Sequence, residues 1–118
     1  VVCGGGAGVM EAISRGVKLE KGTCIGILKG TSDDEGNQYL SVPIKTGMGV
    51  ARNAILAYNC DAAVAIGGQY GTLSEIAYAL QLEKPILGYK TWTIQKLESI
   101  DSINGLITRL RNIISSNS

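Results

Sequence analysis

Residues 62–75 constrain this chain more than any other segment. An apolar run, Ala62-Ala63-Val64-Ala65-Ile66, meets Gly67-Gly68-Gln69-Tyr70-Gly71, and an apolar-periodic segment with Leu73, Ile76, Ala77 and Leu80 follows at once. That order spells a buried strand, a glycine turn and a helix. A glycine turn at a helix start lets backbone N–H groups face a ligand, and the helix dipole there favours negative charge. The implied ligand is an anion, most often a phosphate. A second loop of the same kind, Gly4-Gly5-Gly6-Ala7-Gly8, follows Val1-Val2-Cys3. Two such loops in one short chain point to a phosphorylated ligand more strongly than either alone.

Strand and helix signals alternate along the rest. Residues 1–3 read as the end of a strand, and 8–19 as a helix with Val9, Ala12, Ile13 and Val17 on one face and Gly22 as its stop. Strands are predicted over 23–28, 41–45, 61–66 and 85–89, and helices over 50–59, 72–83 and 102–114. Residues 29–40 form a long polar loop, 91–101 carry no clear signal, and the Ser/Asn tail is expected to fray. The alternation predicts an α/β fold: a Rossmann-like doubly wound parallel sheet with helices on both faces, in a single domain over residues 1–118. Ligands in such sheets bind at the carboxyl ends of the strands, where both glycine loops fall. The chain starts inside a strand, so a βα unit ahead of Val1 is expected to be missing from this sequence.

Composition excludes several chemistries. There is no histidine, which removes Ser-His-Asp and Cys-His nucleophile systems and the usual metal ligand. The net charge of +1 gives no broad electrostatic case for nucleic acid or a membrane surface. No apolar run approaches the ~20 residues of a membrane span. Cys3, Cys24 and Cys60 lie in or beside apolar stretches without CxxC spacing, so they read as small buried side chains in a reducing, cytoplasmic compartment. Asp33-Asp34-Glu35 lack the alternating spacing of a calcium loop and read as solvated, so no metal site is expected. Trp92 and the tyrosines give no stacking pattern for nucleic acid.

Each candidate site residue has two readings. The first loop lacks the GxGxxG spacing of a dinucleotide fingerprint, so it is either a tight turn or a close approach to ligand. Thr72-x-x-Glu75 is a capping box if the helix starts at Thr72; otherwise Glu75 is a pocket carboxylate on the first turn. Arg52 follows Thr46-Gly47-Met48-Gly49 on the first turn of a helix beside Asn53. It is either a solvated charge or a forked donor for phosphate or carboxylate.

Taken together, Gly4-Gly5-Gly6-Ala7-Gly8-Val9-Met10-Glu11, Thr46-Gly47-Met48-Gly49-Val50-Ala51-Arg52-Asn53 and Gly67-Gly68-Gln69-Tyr70-Gly71-Thr72-Leu73-Ser74-Glu75 resemble the LOG ("lonely guy") superfamily of phosphoribohydrolases. The nearer likeness is to a Rossmann-like branch similar to the molybdenum-cofactor carrier, which Asn37 and Tyr39 also fit. The resemblance implies Arg52 and Glu75 as the catalytic pair. It implies a binding loop of Gly67, Gly68, Gln69, Tyr70, Gly71 and Thr72, joined by Gly5, Gly6, Gly8, Met48, Arg52 and Asn53. It also implies a homodimer or larger homo-oligomer.

Two functions follow from the resemblance. One is hydrolysis of the N-glycosidic bond of a nucleoside 5′-monophosphate, with no cofactor required. The other is a non-catalytic carrier holding a phosphorylated pterin such as molybdenum cofactor. Gly67, Gln69 and Asn53 depart from the hydrolase motif, where proline, glycine and lysine stand. Lysine decarboxylation, a label often attached to this superfamily, lacks a lysine placed for a Schiff base.

Overall fold

The computed structural model describes residues 1–116, which form two compact units, one of residues 1–56 and one that begins at Ala57. Each unit is built on its own three-stranded parallel sheet. Asn117 and Ser118, at the end of the tail expected to fray, lie outside the described residues.

In the first unit, β1 (Val2–Cys3), β2 (Ile25–Leu28) and β3 (Val42–Lys45) lie in that order, with Cys3 opposite Gly26 and Gly26 opposite Pro43. The central strand carries the buried residues Gly26, Ile27 and Leu28, whereas every residue of β3 is exposed. Gly26 is required here: a Cβ on it would sit 2.5 Å from Leu40 Cδ1 and 3.0 Å from Gly5 Cα. Helix α1 (Val9–Leu19) joins β1 to β2. It ends in two reversed bonds, Gly22 N–H to Val17 O and Lys21 N–H to Lys18 O. Lys21, at φ 59°, takes the left-handed position that the sequence reading gave to Gly22.

The inward line of α1 also differs from the predicted one. Ser14 is its buried residue and Met10 and Val17 are half-buried, while Val9, Ala12 and Ile13 are exposed. A hydroxyl rather than a methyl faces in because Ser14 has polar partners: its Oγ donates to Met10 O and accepts from Asn37 Nδ2.

A 3₁₀ turn, Gly49–Arg52, precedes α2 (Asn53–Asn59), so Arg52 stands just before the α-helix and not inside its first turn.

In the second unit, β4 (Ala63–Ile66), β5 (Ile86–Tyr89) and β6 (Glu98–Ile100) are parallel and adjacent in that order. Strand alternation divides the core into two layers. Ala65 and Ile86 meet Ile76 and Ala79 of α3 (Tyr70–Gln81). Leu87 meets Leu106 and Ile113 of α4 (Ile103–Ser116), with Val64 packed alongside. This sheet therefore has a helix on each face. Strand β6 falls within residues 91–101, which showed no clear sequence signal. Among the described residues, no helix is long and apolar enough to cross a membrane.

Candidate functional site

The first glycine loop leaves the carboxyl end of β1 and is fixed by side chains reaching its carbonyls. Arg52 Nη1 donates to Gly4 O at 2.7 Å and to Ile27 O at 2.6 Å. Asn37 donates from its backbone N–H to Gly5 O at 2.8 Å, and from Nδ2 to Gly5 O at 3.3 Å and Gly6 O at 3.0 Å. Asn37 Oδ1 accepts the Tyr39 N–H at 3.0 Å.

Three successive carbonyls are thus turned toward Arg52 and Asn37. In a trans peptide the N–H points opposite to the carbonyl. The N–H groups of Gly6 and Ala7 therefore face away from Asn37, the orientation an anion needs. Gly5 and Gly8 hold positive φ, at 75° and 68°.

Arg52 is 4% exposed, so it is not the solvated charge of the alternative reading. Its guanidinium places a permanent positive charge at the foot of the loop, and in a buried setting that charge is weakly screened. Asn53 is 2% exposed. Met48 is exposed, and its N–H donates to Thr46 Oγ1.

Beneath this loop lies a small sulfur and hydroxyl cluster. Cys3 Sγ is 3.8 Å from Cys24 Sγ, and Ser14 Oγ is within 3.7 Å of both. All three cysteines of the chain are free, with Cys24 buried and Cys3 and Cys60 half-buried. Burial pushes the Cys3 and Cys60 thiols up, which makes them poor thiolate nucleophiles.

Asn37 is the residue that most specifically shapes the loop, and its role arises only from contacts across more than 30 positions of chain. Asn37→Ala removes a donor shared by two carbonyls and Ser14. We expect a loss of about 1–3 kcal/mol in denaturant unfolding, the cost of leaving buried acceptors unmet. A change below about 0.5 kcal/mol would mean that water replaces the amide without penalty.

The second loop leaves β4. Gly67 and Gly68 hold φ 69° and 159°, and Gln69 is extended at φ −118°, ψ −163°. With the chain already turned, α3 begins at Tyr70 and its N-cap is Gln69, which makes no side-chain cap. The capping box is therefore not formed: Thr72 lies inside the first turn and Glu75 in the second. Glycine geometry set the helix start two residues ahead of the threonine signal.

The first helical bond here runs from Leu73 N–H to Gln69 O, so the amides before it lie at the positive end of the helix dipole. A Cβ on Gly67 or Gly71 would meet nothing within 4 Å, so the outer side of this loop is open. Its inner side is closed. A Cβ on Gly68 would lie 3.0 Å from Trp92 Nε1 and 3.1 Å from Thr91 Oγ1. Glu75 is half-buried.

A depression of about 410 Å³, lined by Lys84, Lys96, Glu98 and Arg109 among others, lies at the amino ends of β5 and β6. In an open parallel sheet that is the wrong end for a ligand, and its Arg109 is already paired with Glu98 at 2.9 Å. Among the described residues, no group of three or more Cys, Asp or Glu side chains is placed to hold a metal ion. Asp33 pairs with Lys45 at 3.3 Å.

Known proteins share this architecture. The chain is 31% identical to the molybdenum cofactor binding protein of Rippkaea orientalis, with a TM-score of 0.88 over 96% of this chain and 76% of that one. The molybdenum cofactor carrier protein of Chlamydomonas reinhardtii is 30% identical, with a TM-score of 0.83 over 97% and 77%. These likenesses give the chain a Rossmann-like fold. An uncharacterised protein of Archaeoglobus fulgidus is 41% identical over 90 residues, 76% of this chain. The chain spans 59% of the length of that protein. Residues 1–114 match the SLOG cluster4 family, so the chain belongs to that LOG-like family.

Proposed function

We propose that this chain binds a phosphorylated pterin, with molybdenum cofactor as its cargo, and holds it without turnover. The observation that carries this reading is the use of Arg52. Its Nη1 is spent on the carbonyls of Gly4 and Ile27, so the guanidinium shapes the glycine loop. A guanidinium anchored by the backbone of its own loop suits holding a binding surface in shape. The names of the similar structures from Rippkaea orientalis and Chlamydomonas reinhardtii support the same ligand class.

In this reading the phosphate lies on backbone N–H groups at Gly68 to Thr72, at the positive end of the α3 dipole. Hydrogen bonds to an anionic oxygen are roughly twice as strong as neutral ones. No residue is asked to move a proton, which suits a chain without histidine. The substitutions Gly67, Gln69 and Asn53 in the hydrolase motif fit binding better than cleavage.

Anaerobic equilibrium dialysis against molybdenum cofactor, with protein-bound molybdenum measured by mass spectrometry, tests the proposal. Stoichiometric retention is expected, together with no release of adenine from AMP on prolonged incubation. Release of adenine that is abolished by Glu75→Gln would replace this reading with the phosphoribohydrolase one.

A further inference from the structure

Tyr70 is 81% exposed, an unusual state for a large aromatic side chain at the first position of a helix. Its ring is nevertheless not loose. It stacks on Trp92 with ring centroids 6.2 Å apart and planes 30° apart, a common separation for aromatic pairs. Trp92 is held in turn. Its Nε1–H donates to Gln69 O at 3.2 Å, and the indole packs against the core cluster of Ala65, Ile76, Ala79, Ile86 and Leu97.

The second glycine loop and the segment after β5 are thus tied together through the indole. Gly68 passes so close to Trp92 and Thr91 that a Cβ there would press on both side chains. The result is a flat ring backed by a fixed indole, with open space beside the adjacent Gly71. It adjoins the helix start at which the phosphate is placed.

We propose that Tyr70, backed by Trp92, is the stacking platform for the heterocycle of the bound ligand. The proposal rests on the phosphate-binding reading of the Gly68–Thr72 loop and deepens it. Backbone N–H groups hold the phosphate but cannot distinguish one phosphate ester from another. Tyr70 supplies the discrimination, favouring a ligand with a planar ring a short reach from its phosphate. A platform held by its own neighbours loses little rotamer freedom on binding, so most of the stacking energy appears as affinity. Ring stacking is tolerant of ring identity, so the platform selects pterins and purines over sugar phosphates that carry no aromatic ring.

Trp92 is the sole tryptophan of the chain, so its emission reports on this corner alone. The test titrates the full chain with a pterin monophosphate, AMP, ribose 5-phosphate and inorganic phosphate, following Trp92 fluorescence and heat by calorimetry. The two ring-bearing compounds are expected to quench Trp92 and to bind roughly 10-fold or more tighter than ribose 5-phosphate.

Tyr70→Ala should remove that advantage, weakening the ring-bearing ligands roughly 10-fold more than ribose 5-phosphate, while Tyr70→Phe should keep it. Equal weakening of ligands with and without an aromatic ring by Tyr70→Ala would overturn the platform, as would unchanged pterin affinity. So would a change in oligomeric state with ligand affinity intact, which would make Tyr70 a subunit contact. If ribose 5-phosphate binds and the ring adds nothing, the platform fails while the phosphate site stands. If no phosphate compound binds, both readings fall.

Discussion

Arg52→Met is expected to lower the unfolding free energy of the chain by about 3 kcal/mol or more. Methionine keeps much of the apolar stem but removes the donor that Gly4 O and Ile27 O share. Each hydrogen bond to a charged group contributes roughly 1.5–3 kcal/mol, and each buried carbonyl left unmet carries its own desolvation cost. These two carbonyls belong to neighbouring strand ends of one sheet, so the loss falls on the geometry of the first glycine loop as well as on stability. Arg52→Lys should recover only part of the loss, because an ammonium on a flexible stem is a poor substitute for a planar fork. The check is a urea titration at constant m-value. A midpoint shift worth less than about 1 kcal/mol would show that the carbonyls find other donors, and the positioning role of Arg52 would go with it.

Gly5→Ala is expected to be comparably damaging, and Gly8→Ala much milder. Both glycines hold positive φ, at 75° and 68°, and Gly8, with ψ −129°, lies outside the left-handed helical region, so each variant carries backbone strain of about 1–3 kcal/mol. They differ in room. A Cβ at Gly5 would lie 2.6 Å from Leu28 Cδ2 and 3.2 Å from the backbone of Gly26, whereas at Gly8 it would meet nothing within 4 Å. Overpacking adds about 1–3 kcal/mol at Gly5 alone. Measuring the two variants side by side separates dihedral strain from crowding. Equal losses would show that Leu28 yields without cost and that the close approach of Gly5 to Gly26 is not required.

The alternation of elements was legible because apolar runs and glycine breaks are local signals. Ala62 to Ile66 and Pro85 to Tyr89 contain the strands β4 and β5, and the helix ahead of Leu19 lies where its periodicity put it. Periodicity could not say which face of α1 turns inward, because that is set by the bonds of Ser14 to Asn37 and to the cysteines, distant in sequence. The threonine at 72 gave a false helix start because a cap signal competes with two glycines whose dihedral freedom turns the chain sooner. Strand β6, three residues long with two of them polar, leaves no pattern to read.

At the site, the glycines and Arg52 were visible as residue types. Asn37 was legible only as a residue that fits the resemblance, and the bonds that it and Trp92 make to backbone carbonyls are announced by no spacing.

The bareness of β3 has a consequence for how the chain behaves in company. All four of its residues are exposed, and Val42 and Ile44 are apolar. Among the described residues β3 ends its sheet, and a strand edge of this kind invites another chain to pair with it and is a seed for fibrils. Val42 N–H donates inward to Cys24 O, so by alternation position 43 directs its backbone to the outer edge. Proline stands there, with no N–H to offer, and Lys45, the next outward position, is charged and held by Asp33. The edge that would template aggregation is silenced at the point where an incoming strand would seek its first hydrogen bond.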